Sequence, residues 1–319
     1  MRCLYCNKEI RGNASEHERE NRWHAGCIKK FFGTNRMPVI DVTKQRLEEL
    51  ANETINKGLT VPGVQKKLSL HLSTEEEARL TIVDYPTGYI LKPQTDEYEM
   101  LPEFEYLAMS LAALAGVKVV PYALIKNNDT FAYITRRIDR NVQQENMKMY
   151  AMEDFCQLAE RLTIDKYKGS YEKCAKIIKN HSERAGLDLT ELFLRIVVSF
   201  IIGNSDMHLK NFSLIENSPG SRAFHLSPAY DMLPVNIVLP EDTEQMALTL
   251  NGKKSNFKKR DFLSFAEVCG IPDMAAENMI KKVCSLEKKM HFLCDESYLS
   301  DPFKGAMKEL ITERIQVLA

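Results

Sequence analysis

The apolar pattern of this chain changes period once, near residue 140, and that change sets the fold class. Upstream, Leu68, Leu70 and Leu72 alternate with Ser69 and His71, and Tyr89-Ile90-Leu91 runs into Lys92-Pro93. A period of two belongs to strands. Val119 to Ile125 and Thr130 to Ile134 flank Lys126-Asn127-Asn128-Asp129, whose residue types predict a strand–turn–strand pair. One helix interrupts this half. Pro102 to Leu114 carries Phe104, Leu107, Leu111 and Leu114 on one stripe and stops at Gly116, as helices commonly do. Downstream of Arg140, Met152 to Leu162, Tyr171 to Asn180, Leu189 to Ile202 and several segments after residue 257 read as helices. Strands first and helices second predict an α+β chain of two lobes with a ligand between them. We expect three parts: a Cys/His segment over 1–38, a strand-rich lobe over 39–145 and a helical lobe over 146–319.

Bulk properties exclude several classes. With 319 residues, 44% hydrophobic and 27% charged, the chain has the mix of a globular protein with a sizeable core. A net charge of −1 supplies no global basic field for holding nucleic acid. The apolar run Ile196 to Ile202 falls well short of the roughly 20 residues that span a bilayer. No apolar signal core follows the first charge, so we expect a cytoplasmic protein. Cys156, Cys174, Cys269, Cys284 and Cys294 are scattered through apolar sequence, where reduced cysteines act as small core residues.

The most informative stretch is Gly203-Asn204-Ser205-Asp206-Met207-His208-Leu209-Lys210-Asn211-Phe212. Asp206 and Asn211 have the spacing that a phosphotransfer loop sets between its base and a metal-binding amide. Asp231, in Tyr230-Asp231-Met232, adds a second carboxylate, and Mg²⁺ needs such hard oxygen ligands. Taken alone, Asp206 and Asn211 suit turn capping better than phosphotransfer. Other parts fall in a supporting order. Leu59 to Ser69 can form a phosphate-covering loop, or an ordinary hairpin turn. Lys92 ends a strand where a lysine would reach phosphates, and Glu105 on the next helix is the partner such a lysine uses.

The first 38 residues differ from the rest, with eight Lys/Arg against four Asp/Glu and the only tryptophan, Trp23. Cys3-Leu4-Tyr5-Cys6 and His24-Ala25-Gly26-Cys27 offer four soft ligands in two close pairs, a pattern that suits tetrahedral Zn²⁺. His17 is the alternative imidazole, and a terminal segment with free thiols is the alternative reading. Trp23, Phe31 and Phe32 are expected to pack this small module.

Several motifs together resemble the HipA-type serine/threonine kinases. They are Thr60-Val61-Pro62-Gly63-Val64-Gln65-Lys66-Lys67, Ile90-Leu91-Lys92, Phe104-Glu105-Tyr106, Arg137-Ile138-Asp139-Arg140, Lys166-Tyr167-Lys168-Gly169-Ser170, Asp206 to Phe212, and Ser227-Pro228-Ala229-Tyr230-Asp231. The resemblance implies a kinase-like bilobal fold and ATP- and Mg²⁺-dependent activity. It makes Asp206 the catalytic base and Asn211 and Asp231 the metal ligands. Gly63, Val64, Gln65 and Lys67 would cover the nucleotide, with Lys67 and His208 near the γ-phosphate. Lys92 would hold the phosphates with Glu105 beside it, and Arg137 and Asp139 would lie in the segment that meets adenine and ribose, where Arg136 stands in place of an acidic residue.

The resemblance further implies a protein substrate such as an aminoacyl-tRNA synthetase, and an antitoxin, in the family an HTH protein. Thr60 stands where family members carry an autophosphorylated serine. The cysteine segment replaces an N-terminal subdomain of the long family members, so a separate small protein supplying that subdomain is expected. Competing readings are a catalytically weak, nucleotide-binding regulatory component of such a complex, and a kinase for a small molecule or lipid.

Overall fold

Ser15 opens the first helix with a reciprocal cap. Its hydroxyl accepts from Glu18 N, while the Glu18 carboxylate accepts from Ser15 N, which satisfies two end groups that a helix start leaves bare. This short helix, α1 (Glu16–Asn21), and α2 (Ala25–Phe32) precede the sheet. The computed structural model describes residues 1–40, 67–73, 78–81, 87–127, 129–141 and 148–319. The chain divides into two units, Met1–Tyr106 with Val120–Met149, and Leu107–Val119 with Tyr150–Ala319.

In the first unit, β1 (Val39–Ile40), β2 (Leu68–Ser73), β3 (Arg79–Thr81), β4 (Tyr89–Pro93), β5 (Tyr122–Asn127) and β6 (Thr130–Arg136) form one sheet in the order β1-β3-β2-β4-β6-β5. Among the described residues of this sheet only β1 and β3 run parallel. The pairing of Leu91 with Ile134 and of Lys92 with Tyr133 sets the central register. Of the alternating Leu68, Leu70 and Leu72 only Leu70 is buried, and on β5 and β6 the adjacent pairs Leu124-Ile125 and Tyr133-Ile134 are buried together, which marks strands covered on both faces rather than on one. The expected strand–turn–strand pair is β5 with β6, and its residue Asn128 lies outside the described residues. Helix α3 (Leu101–Ala115) starts in the first unit and ends in the second. It buries Phe104, Leu107 and Leu111 of the predicted stripe and ends at Gly116, whose φ of 97° suits a residue without Cβ.

The second unit holds a small antiparallel sheet, β7 (Met152–Asp154), β8 (Ser213–Glu216) and β9 (Phe224–Leu226). Here one sequence expectation needs correction. Met152 to Leu162 is not a single helix: its first three residues pair with β8, and only α4 (Phe155–Leu158) is helical. Asp154 causes the switch, because its side chain caps Gln157 N and starts a fresh turn. The helices that follow are α5 (Tyr171–His181), α6 (Ala185–Ile201), α7 (Val235–Val238), α8 (Lys259–Val268), α9 (Asp273–Cys284), α10 (Glu287–Asp295) and α11 (Asp301–Leu318). Helix α6 is the spine, burying Leu192, Phe193, Ile196, Val197, Phe200 and Ile201. Asp188 on α6 is buried as well, and it accepts from Ser182 Oγ and from Leu226 N, each at 2.7 Å, so tying β9 to the helix. Among the described residues no helix is long and apolar enough to cross a membrane.

Candidate functional site

The loop after α6 is held by its apolar residues. Met207, Leu209 and Phe212 are buried and anchor it, and the polar His208 and Asn211 between them are buried as well. Backbone bonds then fix its curve: His208 N donates to Asp206 O, Asn211 N to His208 O, and Leu209 N to Lys166 O. Buried Tyr171 donates its hydroxyl to Met207 O at 3.1 Å. The Asn211 amide closes the loop, with Nδ2 donating to Asp206 O at 2.9 Å. That bond engages the nitrogen and leaves the amide oxygen as an acceptor for another partner.

Asp231 is brought to this loop by its neighbours. Tyr230 donates its hydroxyl to Lys210 O at 3.0 Å and lies 2.5 Å from Ser213 Oγ. Fully buried Arg195, on α6, donates to Ser227 O at 2.9 Å and so holds the Ser-Pro-Ala-Tyr-Asp run from behind. Asp231 itself has φ of 58°, a left-handed conformation that aspartate tolerates better than most residues.

The electrostatics single out Asp206. Its side chain keeps 43% of its surface, yet the surrounding protein pushes its carboxyl up to about 6, and Asp231 and Asp242 push the same way. Tyr167 acts in the opposite sense, donating its hydroxyl to Asp206 Oδ1 at 2.5 Å, as does the charge of Lys166. Burial and the Asp206 charge hold the Tyr167 phenol well above its ordinary value, so it stays protonated as a donor. His208 Nε2 lies 3.9 Å from Asp206 Oδ1. Burial lowers its imidazole to about 4, so it is neutral near pH 7, and its buried Nδ1 has no partner. The charges of Asp231 and Asp242 thus act on Asp206, and the Asn211 amide oxygen remains an acceptor. Carboxylate and amide oxygens are the donors that a hard divalent cation takes.

In the first unit, Lys92 Nζ donates to Glu105 Oε1 at 2.7 Å, both side chains buried. Lys92 also lies 5.6 Å from the centre of the Tyr133 ring. Arg137 grips Asp139 with two bonds of 2.9 and 2.7 Å. That grip and the charge of Arg140 hold the Asp139 carboxyl below its usual range despite burial. Lys67 is exposed just before β2. Thr60, Gly63, Val64 and Gln65 lie outside the described residues.

The Cys3, Cys6, His24 and Cys27 ligand atoms lie within 4.8 Å of one another, a group that could hold a metal ion. His17 is engaged elsewhere, with Nε2 accepting from Met37 N and Nδ1 beside Asn21 Nδ2. Trp23, Phe31 and Phe32 are buried in this module.

Tyr167, Asp242 and Arg195 are the site residues that sequence reasoning did not assign. Tyr167 stands in a quoted motif, which was its one available signal. Asp242 is reached through Ser205, whose hydroxyl donates to it at 2.9 Å.

The sequence model of the HipA-like C-terminal domain matches residues 59–290. The chain belongs to that family. A relative from Haemophilus influenzae named "Putative kinase" is 26% identical over 287 residues, covering 82% of each chain. A Sinorhizobium fredii protein of similar name is 30% identical over 223 residues, 65% of this chain and 53% of its own, so this chain spans about half of that relative. Among solved structures, the HipA of Shewanella oneidensis, determined with HipB and operator DNA, has a TM-score of 0.69 at 17% identity, covering 85% of this chain and 70% of that one. The Helicobacter pylori proinflammatory kinase CtkA has a TM-score of 0.54 at 17% identity, covering 78% of this chain and 90% of that one. At that identity the two likenesses establish the α+β fold of the HipA-like chain.

Proposed function

We propose that this HipA-like chain is an ATP- and Mg²⁺-dependent protein serine/threonine kinase acting within a toxin–antitoxin system. The observation that carries the reading is the Asp206–Asn211 loop, with a reachable carboxylate, an anchored amide and Asp231 alongside. Asp206 orients the acceptor hydroxyl and takes its proton as the γ-phosphoryl group moves to that oxygen. Tyr167 occupies Oδ1 of this carboxylate, which leaves Oδ2 for the substrate.

Asn211 and Asp231 would hold Mg²⁺, and the oxygen donors described above fit it. When bound, Mg²⁺ supplies positive charge that offsets the charge developing on the phosphates. Lys92, held by Glu105, serves the nucleotide phosphates. Neutral His208, with its open Nδ1, serves as a polar contact near the γ-phosphate. Gly63, Val64, Gln65 and Lys67 cover the nucleotide, Arg137 and Asp139 form the segment that meets adenine and ribose, and Thr60 is a candidate autophosphorylation position. The Cys/His cluster stands outside this chemistry, because three thiols and an imidazole suit a softer metal than Mg²⁺.

Family membership supports a protein substrate in translation, such as an aminoacyl-tRNA synthetase, and a cytoplasmic setting. The Shewanella HipA, solved with HipB and operator DNA, supports a DNA-binding antitoxin partner here, and a small protein is a further candidate partner. The competing reading is a nucleotide-binding regulatory component. Transfer of labelled phosphate from Mg-ATP, compared between wild type and Asp206→Ala, separates them. Transfer in the wild type alone supports the kinase; nucleotide binding with no transfer in either chain supports the regulator.

A further inference from the structure

The Cys/His cluster is the one group of ligating side chains singled out in the sequence that the phosphotransfer reading leaves unused. We infer that Cys3, Cys6, His24 and Cys27 hold one Zn²⁺ in a closed site, and that this metal clamps the N-terminal module onto the outer edge of the six-stranded sheet. The first half of the inference rests on ligand geometry. The His24 Nδ1 atom lies 3.5 Å from Cys6 Sγ and 3.7 Å from Cys27 Sγ. Tetrahedral Zn²⁺, with bonds of about 2.3 Å to sulfur and 2.0 Å to nitrogen, places such atoms about 3.5 Å apart.

The surroundings are arranged to match. His24 Nε2 lies 3.2 Å from Glu9 O, and a carbonyl can only accept. Nε2 therefore carries the proton, and the Nδ1 lone pair faces the thiols, the orientation that a metal-bound histidine takes from its outer partner. Cys3 N donates to Lys8 O, and Asn7 N donates back to Cys3 O, so the chain turns tightly around the first ligand pair. Four protein ligands fill a tetrahedron, leaving no position for a substrate.

The second half rests on where the ligands' neighbours go. Strand β5 is an edge strand among the described strands of the sheet, and such an edge leaves backbone groups bare unless something covers them. Leu4, next to Cys3, accepts from Leu124 N on β5 at 2.9 Å. Trp23, next to His24, donates its indole N–H to Leu124 O at 3.1 Å. Both backbone groups of Leu124 are therefore served by residues adjacent to a metal ligand. Lys126 on the same strand donates to Glu20 O, and Tyr106 donates to Tyr5 O at 3.1 Å. Phe31 and Phe32 pack against Tyr89 of β4 with ring centroids 5.9 and 5.5 Å apart. A segment of this size cannot bury enough surface to order itself without a metal or a partner. Ordering by Zn²⁺ is thus transmitted directly to β5.

Elemental analysis of the full-length chain, purified without chelator, tests the site: about one equivalent of zinc is expected. Replacement by Co²⁺ should give the visible absorption and thiolate charge-transfer bands of a tetrahedral sulfur-rich centre. Amide exchange of wild-type protein before and after chelation tests the clamp. Leu124 N–H should be protected with metal and exchange at least tenfold faster without it, while amides of α6 keep their protection. Absence of stoichiometric metal even after zinc addition would overturn the site. Bound zinc whose removal leaves Leu124 exchange unchanged would overturn the clamp. Neither measurement needs a variant that folds, and neither depends on kinase activity.

Discussion

The Asp206 loop and the Cys/His module solve opposite problems with the same backbone tools. Both are tight turns fixed by N–H to carbonyl bonds within a few residues. In the loop those bonds keep the carboxylate accessible: the Asp206 side chain retains 43% of its surface, with an open nitrogen of His208 nearby. In the module they converge four ligand atoms until they face only one another. Chemistry requires a position left unfilled, whereas a brace requires every position filled. The surroundings follow suit, since the loop gathers carboxylates that repel each other, while in the first unit the buried Lys92 and Glu105 side chains neutralise one another.

Four measurements press on this contrast. Asp206→Ala should lower phosphotransfer by about a thousandfold with nucleotide binding and Tm unchanged; a large fall in Tm would mean that the loop also braces the fold. Lys92→Met should weaken nucleotide binding and, unlike Asp206→Ala, also destabilise the first unit by about 3 kcal/mol, because the buried Glu105 carboxylate loses its ammonium. Adding Glu105→Leu should restore most of that loss in a double-mutant cycle followed by denaturant melts. Glu103 is buried on α3, and burial lifts its carboxyl from 4.5 to about 7. The folded chain then holds this proton more tightly than the unfolded chain. Its contribution to stability is complete below about pH 4.5 and is lost as pH rises through 7, by at most about 3 kcal/mol. Glu103→Gln should flatten Tm against pH across that window. The smallest effect is expected for Tyr167→Phe, which removes one donor from Asp206. The rate of transfer should fall roughly tenfold with KM for ATP unchanged, and a rise in rate would recast Tyr167 as an obstruction.

The sequence revealed most where chemistry and spacing coincide. Cys3 with Cys6 and His24 with Cys27 are close pairs, so their convergence could be read directly. Lys92 and Glu105 were legible because a strand end and a helix stripe each have a period. Tyr167 was not, since a phenol in a polar loop gives no periodic signal and its partner lies 39 residues away. Arg195 was hidden for the opposite reason: it sits within an apolar helical run, and only the fold reveals that its guanidinium reaches Ser227 O. The short strand Met152–Asp154 was missed because helix and strand periods cannot be told apart over three residues, and the pairing with β8 decided the outcome.

Gly203 closes the account of the loop. Its φ is 71°, and a Cβ placed there would lie 2.5 Å from Leu310 Cδ2 on α11, with the Asn236 side chain also close. Helix α11 is thus the wall against which the start of the phosphotransfer loop is pressed. Any side chain at position 203 would have to displace Leu310 or lift the loop off α11. The C-terminal helix therefore sets where the loop begins, although it contributes no residue to it.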